Sequence, residues 1–321
     1  MDATICAALL AARERSARTN AAWRTSAAYR AATDAFAGCP GPDNPAGAPE
    51  AATARAEALL ADGGWVEALL APLVTALAGD PFFEPPFKVH RDALRIGAVL
   101  FDCPAASIAA SVTRASAMAA LPPPATIVFT GRVSITRTIR AGGAHLARWW
   151  AEPIDAQFRA DEAPQCTALE PIALRDGMLH RTDGRREAQL IRDAAGDVVT
   201  LVATIRAGAA PLLREYDRAS RALLRVGDGD DRPSRIGMLL HLLRVAGRTD
   251  ASPCFAAATE APQFHLRWAA MREWLALDAA AALPRLATMA RSDAHAEVRA
   301  AATRMLPVVA QRLAEAARCP G

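Results

Sequence analysis

The stretch TIVFTGRVSITRTIRAGG, residues 126–143, decides the fold that this sequence predicts. It is rich in valine, isoleucine and threonine, its apolar and polar residues alternate, and it ends in a glycine pair. Alternation with a period of two is typical of a β-strand, and β-branched residues favour strands. We therefore predict that the middle of the chain consists of β-strands.

The same pattern continues to about residue 227. Short apolar runs are separated by Asp-Gly at 176–177, Asp-Gly at 183–184 and Gly-Asp at 196–197. These dipeptides are typical of hairpin turns, and short strands at this spacing are expected in an all-β barrel or sandwich. We predict that residues 119–230 form a β-barrel.

Toward the N-terminus, residues 1–118 are dominated by helix-forming residues and predict a helical region. Residues 38–50 are dense in proline and glycine and predict a loop. The segment DPFFEPPFK, residues 80–88, cannot be helical because it has three prolines within six residues. The predicted helical region is therefore interrupted twice.

From residue 231 to residue 321 the pattern is helical again, and it repeats. Arg235, Arg267 and Arg299 are spaced 32 residues apart, and the apolar residues around them align. Such a period is typical of helical solenoids. The tryptophan-rich stretch FHLRWAAMREWLALD, residues 264–278, is therefore interpreted as a packing element of a repeat and not as an active site.

The repeat carries a family resemblance. The stretch DAHAEVRAAATRML, residues 293–306, resembles a HEAT repeat, with an aspartate in the turn between helices and Val-Arg and alanines on the second helix. Arrays of this family usually present a surface to another protein, so the resemblance implies a protein or peptide partner.

The β zone resembles the cupin superfamily. RTIRAGGAHLARWW, residues 137–150, is similar to the strand, glycine turn and histidine-bearing strand of that family, and LRDGMLHRTDGRREAQL, residues 174–190, is similar to the facing hairpin. The metal-binding members carry a His-x-His pair, whereas this zone has only His145 and His180. Because a catalytic metal needs at least three protein ligands, we predict no metal and no cofactor.

Together these patterns predict an α+β chain: an N-terminal helical region (1–118), a central cupin-like β-barrel (119–230) and C-terminal HEAT-like helical repeats (231–321). His145 follows a glycine bend that could aim it into the barrel, although a surface histidine is the alternative. Arginines on alternating strands must in part point inward, where they need an anionic partner, or else line a solvated outer face. The predicted ligand-binding residues of the barrel are Arg137, His145, Trp149, His180 and Arg185.

A second set of residues is predicted to bind a protein partner. The three phenylalanines of residues 80–88 lie on an extended segment that either clamps a peptide or pins the helices around it. The remaining members lie in the helical repeats. The set is Phe82, Phe83, Phe87, Arg267, Trp268 and Arg299.

Composition restricts the classes of function. A net charge of +3 is too small to indicate nucleic-acid binding, and no apolar run reaches the length of a membrane helix. The N-terminus lacks the basic region of a signal peptide, so we expect a cytoplasmic protein with reduced cysteines. The leading hypothesis is a non-catalytic accessory protein that binds a protein partner and a small anionic ligand, with homo-oligomers left open. The alternative is a cupin-type enzyme that acts on a small anionic or peptide substrate.

Overall fold

A computed structural model describes residues 3–41, 48–229 and 231–318. The centre of the predicted loop 38–50 and one residue of the turn before the C-terminal helices lie outside the described residues. The helices are α1 Ala3–Arg24, α2 Ala27–Ala35, α3 Glu50–Ala61, α4 Gly63–Gly79, α5 Ala115–Ala120, α6 Asp231–Val245, α7 Ser252–Ala258, α8 Phe264–Leu277, α9 Ala279–Ser292 and α10 Ala296–Arg318.

Twelve strands are described, and all the strand pairs whose register is resolved are antiparallel. They are β1 Lys88–Arg91, β2 Arg95–Asp102, β3 Ala106–Thr113, β4 Thr126–Phe129, β5 Val133–Arg140, β6 His145–Trp150, β7 Thr167–Ala173, β8 Leu179–Asp183, β9 Glu187–Arg192, β10 Val198–Ile205, β11 Leu212–Asp217 and β12 Leu223–Asp228. The chain is therefore α+β, with helices first, antiparallel sheets in the centre and helices last.

Two compact units divide the chain. Unit 1 comprises Met1–Ile127, Arg132–Trp150 and Ala168–Ala209, and unit 2 comprises Val128–Gly131, Ala151–Thr167 and Ala210–Gly321. Each unit combines segments from two of the three zones that the sequence pattern distinguishes.

The predicted helical region ends earlier than expected. Helix α4 ends at Gly79, and residues 88–113 form β1, β2 and β3 instead of helix. Alanine and serine dominate β3, so its local preference for strand is weak. It pairs along its whole length with β10, and this tertiary pairing overrides the local propensity.

Unit 1 contains two sheets. One has six strands in the order β1-β2-β3-β10-β5-β8, and the other has three in the order β7-β6-β9. The turns at 176–177, 183–184 and 196–197 join β7 to β8, β8 to β9 and β9 to β10, so each carries the chain from one sheet to the other. The predicted turns are therefore present, but they do not close the simple hairpins that we expected, because a turn dipeptide specifies a reversal and not the neighbouring strand.

The six-stranded sheet has an apolar face covered by helices. Val133 and Ile135 of β5 and Leu201 and Ala203 of β10 belong to one buried core with Leu60 of α3. Within this core the indole of Trp23 donates to the carbonyl of Leu69 at 2.7 Å. Because side chains alternate along a strand, the residues between these apolar ones point to the opposite face of the sheet.

Unit 2 is mainly helical. A three-stranded sheet, β12-β11-β4, precedes helices α6 to α10. The buried core of this unit includes Phe255, Met271, Trp274 and Leu286. The turn between α8 and α9 is capped by Asp278, whose carboxylate accepts from the backbone N–H of Ala281 at 3.0 Å, as is usual at a helix N-terminus.

Among the described helices, no single one is long and apolar enough to cross a membrane. The pair α3 and α4, bent by 72°, meets the same criterion of length and composition when the two helices are taken together. Both helices contribute buried residues to the core of unit 1, among them Leu60 and Leu69.

Candidate functional site

A cavity of about 150 Å³ lies between the two sheets of unit 1. Strands β2, β3, β5, β8 and β10 of the larger sheet and strands β6 and β9 of the smaller one contribute to its wall. The lining residues are Arg95, Ser111, Thr113, Thr136, Thr138, Leu146, Leu174, His180, Gln189, Ile191, Thr200 and Val202.

The wall of this inner cavity is polar because of strand alternation. The residues of β5 and β10 that do not face the helices are mainly threonines, namely Thr136, Thr138 and Thr200. Strand register places Thr200 opposite Thr138 on one side and Ser111 on the other. The hydroxyls of Ser111 and Thr200 are 3.2 Å apart. A ladder of hydroxyl groups therefore crosses the centre of the sheet.

His180 lies next to this ladder, opposite Thr136 in the register of β5 and β8. Both ring nitrogens of His180 and the hydroxyl oxygen of Thr138 are buried without a hydrogen-bond partner among the described residues. Such groups are rare because each unpaired buried polar atom costs about 1–3 kcal/mol. All three atoms belong to residues of the cavity wall, so an occupant of the cavity, whether water or a ligand, is the partner available to them.

The electrostatics of the cavity combine a neutral imidazole with one cation. Burial lowers the pKa of His180 below its ordinary value, and the positive charge of Arg148 acts in the same direction, whereas the nearby Gln189 amide acts against them. His180 is therefore neutral near pH 7 and can accept with one ring nitrogen while it donates with the other. Of the described lining residues, Arg95 alone carries a full charge.

A second cavity, of about 570 Å³, lies beside the first. Arg95, Thr113 and Ile191 line both cavities, so the two are adjacent. The rest of the outer wall is mostly apolar and comes from α5, the proline run after it, and β9. The further lining residues are Leu94, Met118, Ala119, Leu121, Pro122, Pro123, Pro124, Leu190, Arg192, Asp193 and Ala194.

Of the residues predicted to bind a ligand, His180 lies in the wall of the inner cavity. Arg137 points to the other face of the sheet, where its Nη1 donates to the carbonyls of Leu60 and Ala61 at 2.6 and 2.7 Å. Arg185 forms a two-pronged ion pair with Asp183, at 2.8 and 2.9 Å. Neither arginine lines the cavity, and both donate to protein oxygens elsewhere in unit 1.

The other two predicted barrel residues lie on β6. His145, its first residue, is exposed, and its neighbour Leu146 lines the cavity instead. Trp149 is buried and Trp150 is half-buried, and neither is part of the cavity wall. The glycine bend before β6 therefore does not aim His145 inward.

The three phenylalanines of residues 80–88 occupy different environments. Phe82 is 61% exposed, whereas Phe83 belongs to the buried core of unit 1. Phe87 meets the ring of Trp23 edge to face, with centroids 5.5 Å apart. Phe82 is thus the one member of this trio that is open to a partner.

The predicted residues of the helical repeats lie on α8 and α10. Arg267 is bound to the carboxylate of Asp293 at 2.5 and 2.9 Å and also donates to the carbonyls of Ala261 and Pro262. Arg299 donates to the backbone carbonyl of Asp293, and Trp268 is half-buried against the core of unit 2. The two arginines thus converge on one residue of the turn between α9 and α10.

Most residues of the cavity wall could not be predicted from the sequence. Thr136, Thr138, Thr200 and Gln189 carry no motif, and isolated threonines in a strand are ordinarily a sign of strand propensity. The available signal was the alternation itself, since Val133 and Ile135 alternate with Ser134 and Thr136. That pattern separates two faces, but it does not say which of them encloses a cavity.

The donor set of the cavity does not fit a catalytic first-row metal. Its wall supplies one imidazole, one amide and several hydroxyls, whereas such a metal needs three or four imidazole, thiolate or carboxylate ligands. Within residues 3–41, 48–229 and 231–318, no group of three or more His, Cys, Asp or Glu side chains is placed to hold a metal ion.

No protein-family model matches the sequence, and the comparison with curated proteins gives no match. Among solved structures, the chain is similar to a 7S globulin of Momordica charantia, with 11% identity, a TM-score of 0.26, and coverage of 41% of this chain and 36% of the globulin. It is also similar to hydroxypropylphosphonic acid epoxidase from S. wedmorenis in complex with fosfomycin, with 11% identity, a TM-score of 0.24, and coverage of 49% and 93%. A third is the capsular polysaccharide assembling protein CapF from Staphylococcus aureus, with 11% identity, a TM-score of 0.22, and coverage of 51% and 40%.

This chain therefore spans about a third of the globulin's length. Likenesses of this size identify neither a family nor an activity.

Proposed function

We propose that unit 1 binds a small anionic molecule between its two sheets. The observation that carries the proposal is the set of three buried, unpartnered polar atoms on His180 and Thr138, which face the same cavity. An anion would accept from the hydroxyl of Thr138 and from one nitrogen of the imidazole, and Arg95 would balance its charge. Hydrogen bonds to a charged group contribute about 1.5–3 kcal/mol each.

We also propose that the two sheets form a barrel of the cupin type. Two features support this: both sheets contribute to the wall of one cavity, and the chain crosses between them at three successive turns. On this proposal the barrel binds a ligand through the hydroxyl and imidazole groups of its interior, which do not form a set of metal ligands.

The test uses acetate as the anion and acetamide, which has the same shape without the charge, as the control ligand. Calorimetric titration is expected to show that acetate binds and that acetamide binds at least about tenfold more weakly. Substitution His180→Leu should weaken acetate binding by roughly tenfold to a hundredfold, as for a lost hydrogen bond to a charged group. His145→Leu, which changes an exposed histidine of β6, is the matched control and should leave binding unchanged.

A second variant separates binding from folding. Thr138→Val keeps the shape of a side chain that is fully buried and removes its unpartnered hydroxyl. It should stabilise the empty protein by about 1 kcal/mol and weaken acetate binding. If acetate binding is absent in the unsubstituted protein, or is the same in His180→Leu, the cavity does not bind anions.

An enzyme that acts on such a ligand is the alternative function. The observation that favours it is the buried, neutral imidazole of His180 in a cavity, a setting in which histidines act as general bases. The candidate for this role is therefore His180 and not His145. Recovery of the bound ligand chemically unchanged after prolonged incubation, followed by NMR, would contradict the enzyme.

For unit 2 we propose a HEAT-like array that binds a protein partner. The observation that supports it is an exposed apolar row on α6, formed by Met238, Leu239, Leu242 and Val245, each between 59% and 67% exposed. Exposed apolar rows of this kind are typical of protein interfaces. The opposite side of the same helix, with Leu240, faces the core of the unit.

The simplest partner to test is a second copy of the chain. Sedimentation velocity over a concentration series should show reversible dimers that Leu242→Glu abolishes. Val74→Glu, at a residue of α4 that is 63% exposed, is the matched control and should leave the dimer intact. A protein that stays monomeric at every concentration would contradict self-association through α6.

A further inference from the structure

We propose that the ligand of unit 1 is an aliphatic carboxylate, whose carboxylate lies at Arg95 and the inner cavity and whose alkyl chain fills the outer cavity. This inference rests on the proposed binding of an anion and adds the chemical class of the rest of the molecule. It is carried by the contrast between the polar inner wall and the apolar outer wall, and by the residues that the two walls share.

Size alone indicates that the inner cavity is not the whole site. Its volume of about 150 Å³ corresponds to roughly five water molecules at about 30 Å³ each. Ligand sites usually have about 300–1,000 Å³, and the outer cavity of about 570 Å³ brings the combined space into that range. A head group of a few atoms fits the inner cavity, and the remainder of the ligand must lie in the outer one.

The outer wall has the composition expected for an alkyl chain. Met118 and Leu121 come from α5 and its C-terminal end, and Leu190 and Ile191 come from β9. Three consecutive prolines, Pro122 to Pro124, complete the wall. Proline has a fixed φ and no N–H group, so this segment forms a stiff surface that offers no hydrogen-bond donor. A polar ligand would gain little from such a wall.

The junction between the cavities is fixed in place. Arg95 and Thr113, which line both cavities, are cross-strand partners at the ends of β2 and β3. The backbone N–H of Arg95 donates to Asp92 at 2.6 Å, and the N–H of Leu94 donates to the same carboxylate oxygen at 2.7 Å. These bonds fix the backbone of Arg95. Its side chain is exposed and lines both cavities, so its charge lies where the polar wall meets the apolar wall, which is the position that the head group of an amphipathic anion requires.

Two further charged residues, Arg192 and Asp193, line the outer cavity. They are adjacent in sequence and opposite in sign, so they add no net charge to that wall. We therefore place the carboxylate of the ligand at Arg95 and its alkyl chain along Met118, Leu121 and the prolines.

The experiment compares butyrate, hexanoate and octanoate by calorimetric titration of the full chain, with acetate as the head-group probe. Each buried methylene group is expected to tighten binding about three- to fourfold, so successive members of the series should differ by about tenfold. Leu121→Asp, at a residue that is 40% exposed, places a charge in the outer wall and should flatten this gradient while acetate binds as before. Val89→Asp makes the same kind of change at a residue that is 63% exposed and lines neither cavity, and should leave the gradient intact.

The outcomes separate the two proposals. If acetate binds but the affinity does not rise with chain length, or if the gradient persists in Leu121→Asp, the alkyl site is wrong while the anion site stands. If the alcohols of the same chain lengths bind as tightly as the carboxylates, the carboxylate at Arg95 is wrong. If neither acetate nor any longer member binds, the anion site itself is contradicted.

Discussion

Substitution Gly142→Ala is expected to destabilise unit 1 by more than about 4 kcal/mol, a loss that only severe steric or packing defects produce. A Cβ atom at this position would lie 2.0 Å from the carbonyl oxygen of Gly196 and 2.7 Å from its carbonyl carbon. Both are backbone atoms of the turn between β9 and β10, and they cannot rotate away. The same turn donates to Gly142, through the N–H groups of Ala195 and Gly196 at 2.8 and 2.9 Å.

The neighbouring glycine supplies the control. Gly143 has a φ of +72°, close to the +58° of Gly142, so alanine meets a comparable backbone strain at both positions. At Gly143, however, the nearest atom to an added Cβ is the side chain of Ala195 at 3.8 Å, an ordinary contact. Gly143→Ala should therefore cost only about 1–2 kcal/mol, the cost of a left-handed conformation. Urea unfolding measures both, and equal losses in the two variants would contradict the steric argument.

Substitution Arg267→Ala is the second large effect, with an expected loss of about 3–5 kcal/mol, as for a buried ion pair that loses one partner. The side chains of Arg267 and Asp293 are 11% and 3% exposed, and the guanidinium binds the carboxylate through two nitrogens. From the sequence alone we would expect about 1–3 kcal/mol, the cost of one charged hydrogen bond. The structure predicts a larger loss of stability because removal of Arg267 leaves the buried carboxylate of Asp293 without its cationic partner.

Arg299→Ala is the control at the corresponding position of α10. Arg299 donates to the backbone carbonyl of Asp293 and not to its carboxylate, so its loss should cost about 1.5–3 kcal/mol, as for one charged hydrogen bond. Urea unfolding, followed by the fluorescence of the tryptophans of α8, measures both variants. A loss for Arg267→Ala no greater than that for Arg299→Ala would show that the ion pair contributes little.

The same pair predicts a dependence on pH. Burial acts to raise the pKa of Asp293, but hydrogen bonds from Arg267 and from the backbone of His295 outweigh it and hold the pKa below its ordinary value of 3.8. Because the folded pKa is lowered, the contribution to stability is complete above the ordinary pKa and is lost as the pH falls through the folded pKa. The difference between Arg267→Ala and the unsubstituted protein should therefore shrink below about pH 4.

The local structure of several segments could be predicted from the sequence. The strand Val133–Arg140 lies within the alternating stretch, the three glycine-containing turns lie at the predicted dipeptides, and α8 spans the tryptophan-rich segment. These features depend on side-chain periodicity and backbone preference over a few residues, and such preferences are properties of the local sequence. The strand β3 was missed because its alanines and serines prefer neither state strongly and its partner, β10, lies far along the chain.

The candidate site was harder to predict than the fold. Of the predicted residues, His180 lines the cavity, whereas Arg137 and Arg185 bind protein oxygens. Thr138 and Arg95, which also line the cavity, were not predicted. The sequence shows which side chains are charged or can form hydrogen bonds. It does not show which residue elsewhere in the chain is the partner of each. His180 and Thr138 have buried polar atoms with no such partner among the described residues, and both line the inner cavity.

The sequence by itself therefore determined the succession of helices, strands and helices outside residues 88–113. It also determined the positions of the turns and the two alternating faces of β5. Only the tertiary structure decided that the isoleucine-bearing face of β5 lies against the helices and that the threonine-bearing face encloses the cavity. The physical reason is that an alternating strand has one apolar and one polar face, but the strand alone does not specify which other element of the fold covers each face. Helix α3 buries the apolar face, and the polar face lines the inner cavity.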